Sequence, residues 1–230
     1  MRLKRFFLLS LITLNAHAFR LDPMSATIEL KDGQTHFNFV LQNETTTPLP
    51  VQISVFARDI KENGEDVLTE TNEISIYPDQ IIIPPEQKRS VKVVFNGDKK
   101  GLKIEKAFRF IAEQLPVDLK KKKTEKAGIK MLLKYLAALY VNPEGTESDV
   151  NCELSGTDLI CQNSGTKHQI TVFKSLQLES GANKVSFSKD DLKKISGENI
   201  LPGKKRIFSL GFKEEVKKLK GLAKVSAKFE

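Results

Sequence analysis

The 230-residue sequence predicts an all-β protein made of two antiparallel sandwiches in tandem. Three observations carry that prediction. Nearly every ordered-looking stretch is short and alternates apolar with polar side chains, the period of a strand with one buried face. Turn residues such as Asp-Gly, Pro-Pro and Asn-Pro recur at the spacing of about eight to twelve residues that typifies sandwiches. The segment "NPEGTES" (142–148) then divides the chain into two runs of about seven strands each.

Read in order, the chain opens with "MRLKRFFLLSLITLNAHA": three cations, an apolar run over 6–14, then Ala16-His17-Ala18. That order is a secretory signal peptide with a small-x-small cleavage site, so residues 1–18 are expected to be removed. The apolar run is too short to cross a hydrocarbon core of about 30 Å. No later segment approaches that length, so no membrane insertion is expected. No cysteine adjoins the cut, which argues against a lipid anchor. Removing Arg2, Lys4 and Arg5 lowers the formal net charge from +8 to +5. The remaining lysines are scattered apart from a cluster at 120–123, Trp is absent, and the phenylalanines alternate within strands, which argues against a nucleic-acid partner.

The first mature stretches, "ATIEL" and "THFNFVLQN", flank Lys31-Asp32-Gly33 and read as a hairpin, with Phe37, Phe39 and Leu41 on one side. "VQISVFARDI", "EISIYP", "QIII" and "KRSVKVVF" follow, punctuated by Pro78, Pro84 and Pro85, which belong at strand ends and edges because proline donates nothing to the ladder. "AFRFIAEQLP" puts Phe108, Phe110 and Ala112 on one face and Arg109, Ile111 and Glu113 on the other. After the lysine-loaded "DLKKKKTEKA" comes "GIKMLLKYLAALYV" (128–141), an alternating stretch unusually long for a strand in a domain of this size. Beyond the hinge, a cysteine hairpin, "QITVFKSLQLE", "NKVSFS", "KKRIFSLGF" and "KVSAKFE" repeat the short-strand rhythm. Only "KEEVKKLKGL" reads as a brief helix.

Export to an oxidising compartment makes a Cys152–Cys161 disulfide the expected state of "CELSGTDLIC". If 152 faces 161, then 155 faces 158, and a two-residue Gly156-Thr157 loop remains, the Gly-first composition of a type II′ turn. A directly opposed antiparallel pair has the Cα separation a disulfide needs. The rival reading, a metal site, has two thiols and His168, a poor zinc shell. No catalytic constellation appears: His36 and His168 sit in no nucleophile elbow or zinc-binding helix, and no glycine loop cradles phosphate. The sequence therefore predicts no enzyme, no cofactor and no metal. Asn43-Glu44-Thr45 satisfies the glycosylation sequon, a permissive pattern.

The order of "VLQNETTTPLPVQISVFAR", "ISIYPDQIIIPPEQKRSVKV", "FRFIAEQLP", a loop and a long alternating strand resembles the periplasmic pilus (fimbrial) chaperones, the PapD-like family. "ICQNSGTKHQITVFKSLQL" and "ILPGKKRIFSLGF" resemble the smaller second domain of that family. The resemblance implies two immunoglobulin-like sandwiches in a boomerang, here 19–143 and 144–230. It implies a chaperone that caps an incomplete pilin by lending it a strand and delivers it to an outer-membrane usher. Donor side chains fall at Ile129, Met131 and Leu133. Self-capping as a dimer is another way of hiding such an edge.

The family's usual carboxylate-anchoring cations match Ser25 and Ala138 here, so the pair is missing. Lys134, Arg109 and Arg20 are the substitutes by position. The competing reading is an exported two-domain immunoglobulin-like structural or adhesion protein whose 128–141 strand is paired throughout or packed inward.

Overall fold

A computed structural model describes residues 19–116, 132–197, 199–219 and 223–230. The signal-peptide reading and the calls at Ile129 and Met131 therefore lie outside the described residues.

β1 (Phe19–Asp22) and β2 (Ser25–Glu29) are one polar-apolar stretch broken by Pro23, after a cis Asp22–Pro23 peptide. The break lets the chain change sheets. β1 pairs with β3 (His36–Asn43), whereas β2 runs parallel to β10 (Lys134–Asn142) in the opposite layer. The expected Lys31–Gly33 hairpin is thus corrected: the strands flanking that turn do not pair, because it carries the chain from one sheet to the other. β4 (Leu49–Ile60) is long enough to hold two successive neighbours on one flank, β7 (Gln80–Ile83) along its first part and β5 (Asp66–Thr69) along its last. β6 (Ile74–Tyr77), β8 (Lys88–Phe95) and β9 (Lys106–Gln114) complete the domain.

Two sheets result, β1-β3-β8-β6 and β2-β10-β9-β4-β5, with β7 on β4. Their inner faces carry the alternating apolar sets read from the sequence. Phe39 of the first sheet stacks on Phe110 of the second with centroids 4.1 Å apart, and Leu41, Val91, Ile53 and Leu139 are fully buried around them. Burial of each such side chain contributes roughly 1.5–3 kcal/mol.

The second domain comprises β11 (Val150–Ser155), β12 (Asp158–Asn163), β13 (Gln169–Ile170), β14 (Phe173–Ser180), β15 (Asn183–Ser186), β16 (Asn199–Ile200), β17 (Lys205–Ser209) and β18 (Lys224–Phe229). They form sheets β11-β12-β17 and β15-β14-β18 and the short pair β13-β16. The cysteine hairpin has the expected register, Cys152↔Cys161 through Ser155↔Asp158. Cys152 and Cys161 are disulfide-bonded, and Gly156 holds φ +61° as a primed turn requires. Among the described residues of this domain two short helices occur, α1 (Lys189–Lys193) and α2 (Glu214–Lys217). The second lies inside the predicted "KEEVKKLKGL". The first is set by a capping box, in which the Ser188 hydroxyl accepts from the Asp191 N–H and the Asp191 carboxylate accepts from the Ser188 N–H.

The two domains use the same corner. Asn43 ends β3, fully buried, and donates to the carbonyls of Thr47 (2.8 Å), Ile83 (3.0 Å) and Pro84 (3.1 Å) while accepting from the Thr45 N–H. Asn163 ends β12 and donates to Lys167 and Ile200 while accepting from Gly165 and Asp149. The sequon at Asn43 is therefore a structural corner whose amide faces no solvent.

Candidate functional site

β10 positions the site. Its odd-numbered backbone groups face β9, as the Gln114 N–H to Leu133 carbonyl bond of 2.9 Å shows. Its even-numbered groups face the other flank, where the Ala138 N–H reaches the Met24 carbonyl at 3.0 Å. β9 covers β10 from Lys134 onward, but β2 pairs only with 138–142. Among the described residues, no strand pairs with the second flank of 134–137. The reason lies in Pro23: the chain that would fill that flank has crossed to the other sheet as β1.

Side chains follow the same alternation. Ala137, Leu139 and Val141 sit in the first core, and Tyr135 and then Leu133 continue that face outward, half-buried against the core. On the opposite face Leu132 and Leu136 are each 42% exposed, with Lys134 between them. Leu133 is the described member of the predicted donor set, at the rim where the core ends.

All three predicted anchor cations already have an acid. Arg20 lies 3.7 Å from Glu44 on the surface, and Lys134 lies 3.0 Å from Glu113 with both side chains half exposed. Such exposed pairs contribute little, about 0–1 kcal/mol. Arg109 is different. Its side chain is 13% exposed and its guanidinium grips Asp66, with Nε to Oδ2 at 2.8 Å, while the same carboxylate accepts from Arg58 Nε at 2.7 Å. One carboxylate therefore serves two guanidiniums, and the trio keeps one positive charge. Ala138 faces Ser25 on one flank and Arg109 on the other, so the missing anchor positions are neighbours and Arg109 stands one strand away.

The cleft between the domains lies beside this trio. Ile60, Ala138, Tyr140 and Leu201 form a small buried cluster joining the two units. The Tyr140 hydroxyl accepts from Arg58 Nη1 and from Asn199 Nδ2, and its ring stacks on His168 with centroids 3.8 Å apart. Burial pushes the Tyr140 phenol above its usual pKa. His168 in turn meets the buried Glu105 carboxylate through its backbone N–H and through Nδ1. At the other side of the junction the Ile207 N–H donates to the Glu62 carbonyl at 2.9 Å, and Lys204 pairs with Asp59 at 2.7 Å. A cavity of about 300 Å³, lined by Arg58, Asp59, Glu105, Lys106 and Leu201 among others, opens at this junction.

The sequence reading left both His36 and His168 without a role, and His36 is exposed. It missed Tyr140, Glu105 and Asp66: Tyr140 meets Arg58 82 residues away, Glu105 meets His168 63 residues away, and Asp66 joins Arg58, eight residues away, to Arg109, 43 residues away. Among the described residues no group of His, Cys, Asp and Glu is arranged to hold a metal ion.

The family model for pili and flagellar-assembly chaperones, PapD N-terminal domain, matches residues 20–147. The chain belongs to this chaperone family. It is a family of non-enzymatic chaperones. No curated protein sequence matches the chain.

Among solved structures, the chain is similar to the CsuC–CsuE chaperone–tip adhesion subunit pre-assembly complex from archaic chaperone-usher Csu pili of Acinetobacter baumannii. That match has 17% identity and a TM-score of 0.58, covering 84% of this chain and 91% of that one. It is similar to the class 5 fimbriae chaperone CfaA (14% identity, TM-score 0.59, 93% and 100% covered). It is also similar to the Salmonella enterica SafA pilin in complex with the SafB chaperone (12% identity, TM-score 0.60, 84% of each covered). At these identities the matches report fold, and the fold is the chaperones' pair of immunoglobulin-like sandwiches in a boomerang.

Proposed function

We propose that this chaperone acts in the periplasm on pilus or fimbrial subunits, capping an incomplete subunit sandwich with the N-terminal half of β10 and passing it to an outer-membrane usher. The observation that carries the reading is the flank of 134–137, which has β9 on one side and, among the described residues, no paired strand on the other. Such an edge accepts another chain by strand addition: ladder hydrogen bonds supply sequence-tolerant affinity, and alternate side chains fill pockets. Drawn out along a partner sheet, Met131 and Ile129 follow Leu133 at a period of two. The inner face that is core at Leu139 and Ala137 thereby becomes the donor face.

The signal peptide at 1–18, a domain boundary at 143/144 and the absence of a cofactor belong to the same reading. The competing adhesion reading required a strand paired throughout or packed inward; the flank of 134–137 without a paired strand among the described residues argues against the first, and the exposed Leu132 and Leu136 against the second. The surplus charge of the Arg58–Asp66–Arg109 trio supports Arg109 as the cation nearest a subunit carboxylate. Lys134 and Arg20, in exposed pairs, are secondary.

Co-expression with subunits encoded beside the gene tests the proposal. Leu133→Asp and Met131→Lys are expected to abolish co-purification while the chaperone's own melting temperature stays within a few degrees. Normal capture by both variants would refute it.

A further inference from the structure

The end of the sandwich where β10 leaves the domain is closed by two aromatic residues from opposite sheets. Tyr135 of β10 meets Phe19, the first residue of β1, edge to face with ring centroids 4.8 Å apart. Its hydroxyl donates to the Phe19 carbonyl. Phe19 is buried to 1% exposure, and Tyr135 packs against the same core from its rim. Lys134 beside it pairs within its own sheet, to Glu113. The Tyr135 hydroxyl bond, by contrast, crosses to the other sheet.

This tie falls within the stretch that, among the described residues, lacks a second strand neighbour. Upstream of it, the contact of Leu133 with Gln114 is the last described ladder bond to β9. A strand held on one flank alone is free to twist and splay, and any partner that docks must bear the cost of ordering it. A second constraint set across the sandwich removes that freedom before the partner arrives. It also fixes the spacing of the two sheets at the seam where a docked sandwich would continue this one.

We propose that Tyr135 is a positioning residue for subunit docking. By bonding β10 to β1 it sets the direction in which the donor strand leaves the domain, and Phe19 is its support. This rests on the docking reading above. It adds that the first residues of β1, far from the donor strand in sequence, belong to the docking surface.

The test uses the full mature chain and the subunit recovered with it by co-purification. Tyr135→Phe keeps the ring and removes the cross-sheet bond. It is expected to weaken capture about three- to tenfold, the range of one part-buried hydrogen bond. The loss should fall mainly on the association rate, with the melting temperature within about 2 °C of the parent. Phe19→Leu, which removes the edge-to-face contact, is expected to act in the same direction. In the free proteins, the amides of Tyr135 and Ala137 should exchange faster in Tyr135→Phe than in the parent, a change that loss of a merely structural contact elsewhere would not localise there. Unchanged capture by Tyr135→Phe, or a loss that only tracks global destabilisation, overturns the proposal and leaves the docking reading standing. Unchanged capture by both Leu133→Asp and Met131→Lys removes both.

Discussion

Replacing Asp66 with Asn perturbs the Arg58–Asp66–Arg109 charge cluster beside the cleft. Asp66 accepts from Arg58 Nε at 2.7 Å and Arg109 Nε at 2.8 Å, and those arginine side chains are 6% and 13% exposed. Removing one partner of a buried ion pair costs about 3–5 kcal/mol, because the remaining charge stays desolvated. Asp66 is itself 22% exposed, and Asn keeps one acceptor for one of the two guanidiniums. Both reduce the penalty, to about 2–3 kcal/mol on the same scale. At about 2–4 °C per kcal/mol for a chain of this size, the melting temperature falls by about 4–12 °C. Scanning calorimetry of the parent, Asp66→Asn, Arg109→Met and the double variant reads this directly. The two substitutions are expected to be non-additive, since once Arg109 is gone Asp66 balances Arg58 alone. A fall below 1 °C, or strict additivity, would show that the trio is not the charge cluster its geometry indicates.

Other outcomes follow from the same structure. Asn43→Ala leaves the Ile83 and Pro84 carbonyls and the Thr45 N–H without their shared partner and should cost about 3 kcal/mol. Urea unfolding is expected to show this loss in the first domain, and Asn163→Ala a similar loss in the second. Cys152→Ser with Cys161→Ser opens a ten-residue loop, worth about 2.7 kcal/mol in the chain-entropy picture, and should lower the second domain's midpoint alone. The Asp191 carboxyl is held down to about 2, first by the Lys213 ammonium and then by the Ser188 N–H and hydroxyl. Its folded pKa lies below the unfolded value, so its contribution is complete above about pH 4 and is lost as pH falls towards 2. Acid titration of Asp191→Asn should lack that limb of the second domain's stability profile.

Much of the fold was legible because the information was local. The alternation in "THFNFVLQN" and "AFRFIAEQLP" gave the inner faces that meet at Phe39 and Phe110, and the spacing in "CELSGTDLIC" gave a hairpin register and its disulfide together. The Lys31–Gly33 turn was misread for the same reason: Asp-Gly between alternating runs describes a reversal, but not whether the second strand stays in the sheet of the first. The helix α1 was missed although Ser188 and Asp191 stand at capping-box spacing, a signal available in the residues. The cleft was hidden for a stronger reason. Tyr140 finds Arg58 82 residues earlier and Asn199 59 residues later, and no local pattern encodes that meeting. The two faces of β10 could be read, since they follow from a period of two. Its open flank could not, because it depends on where Pro23 sends a different strand.

The most direct test of the account is amide hydrogen exchange on the monomeric mature chain, resolved at single residues of β10. Lys134 and Leu136 direct their N–H groups to the flank that no strand pairs with among the described residues, whereas Tyr135 and Ala137 direct theirs to β9. The first two are expected to exchange at least about a hundredfold faster than the second two, and to become protected when a subunit is captured. Equal protection of all four in the uncomplexed monomer would contradict the claim that this strand holds one side open for another chain.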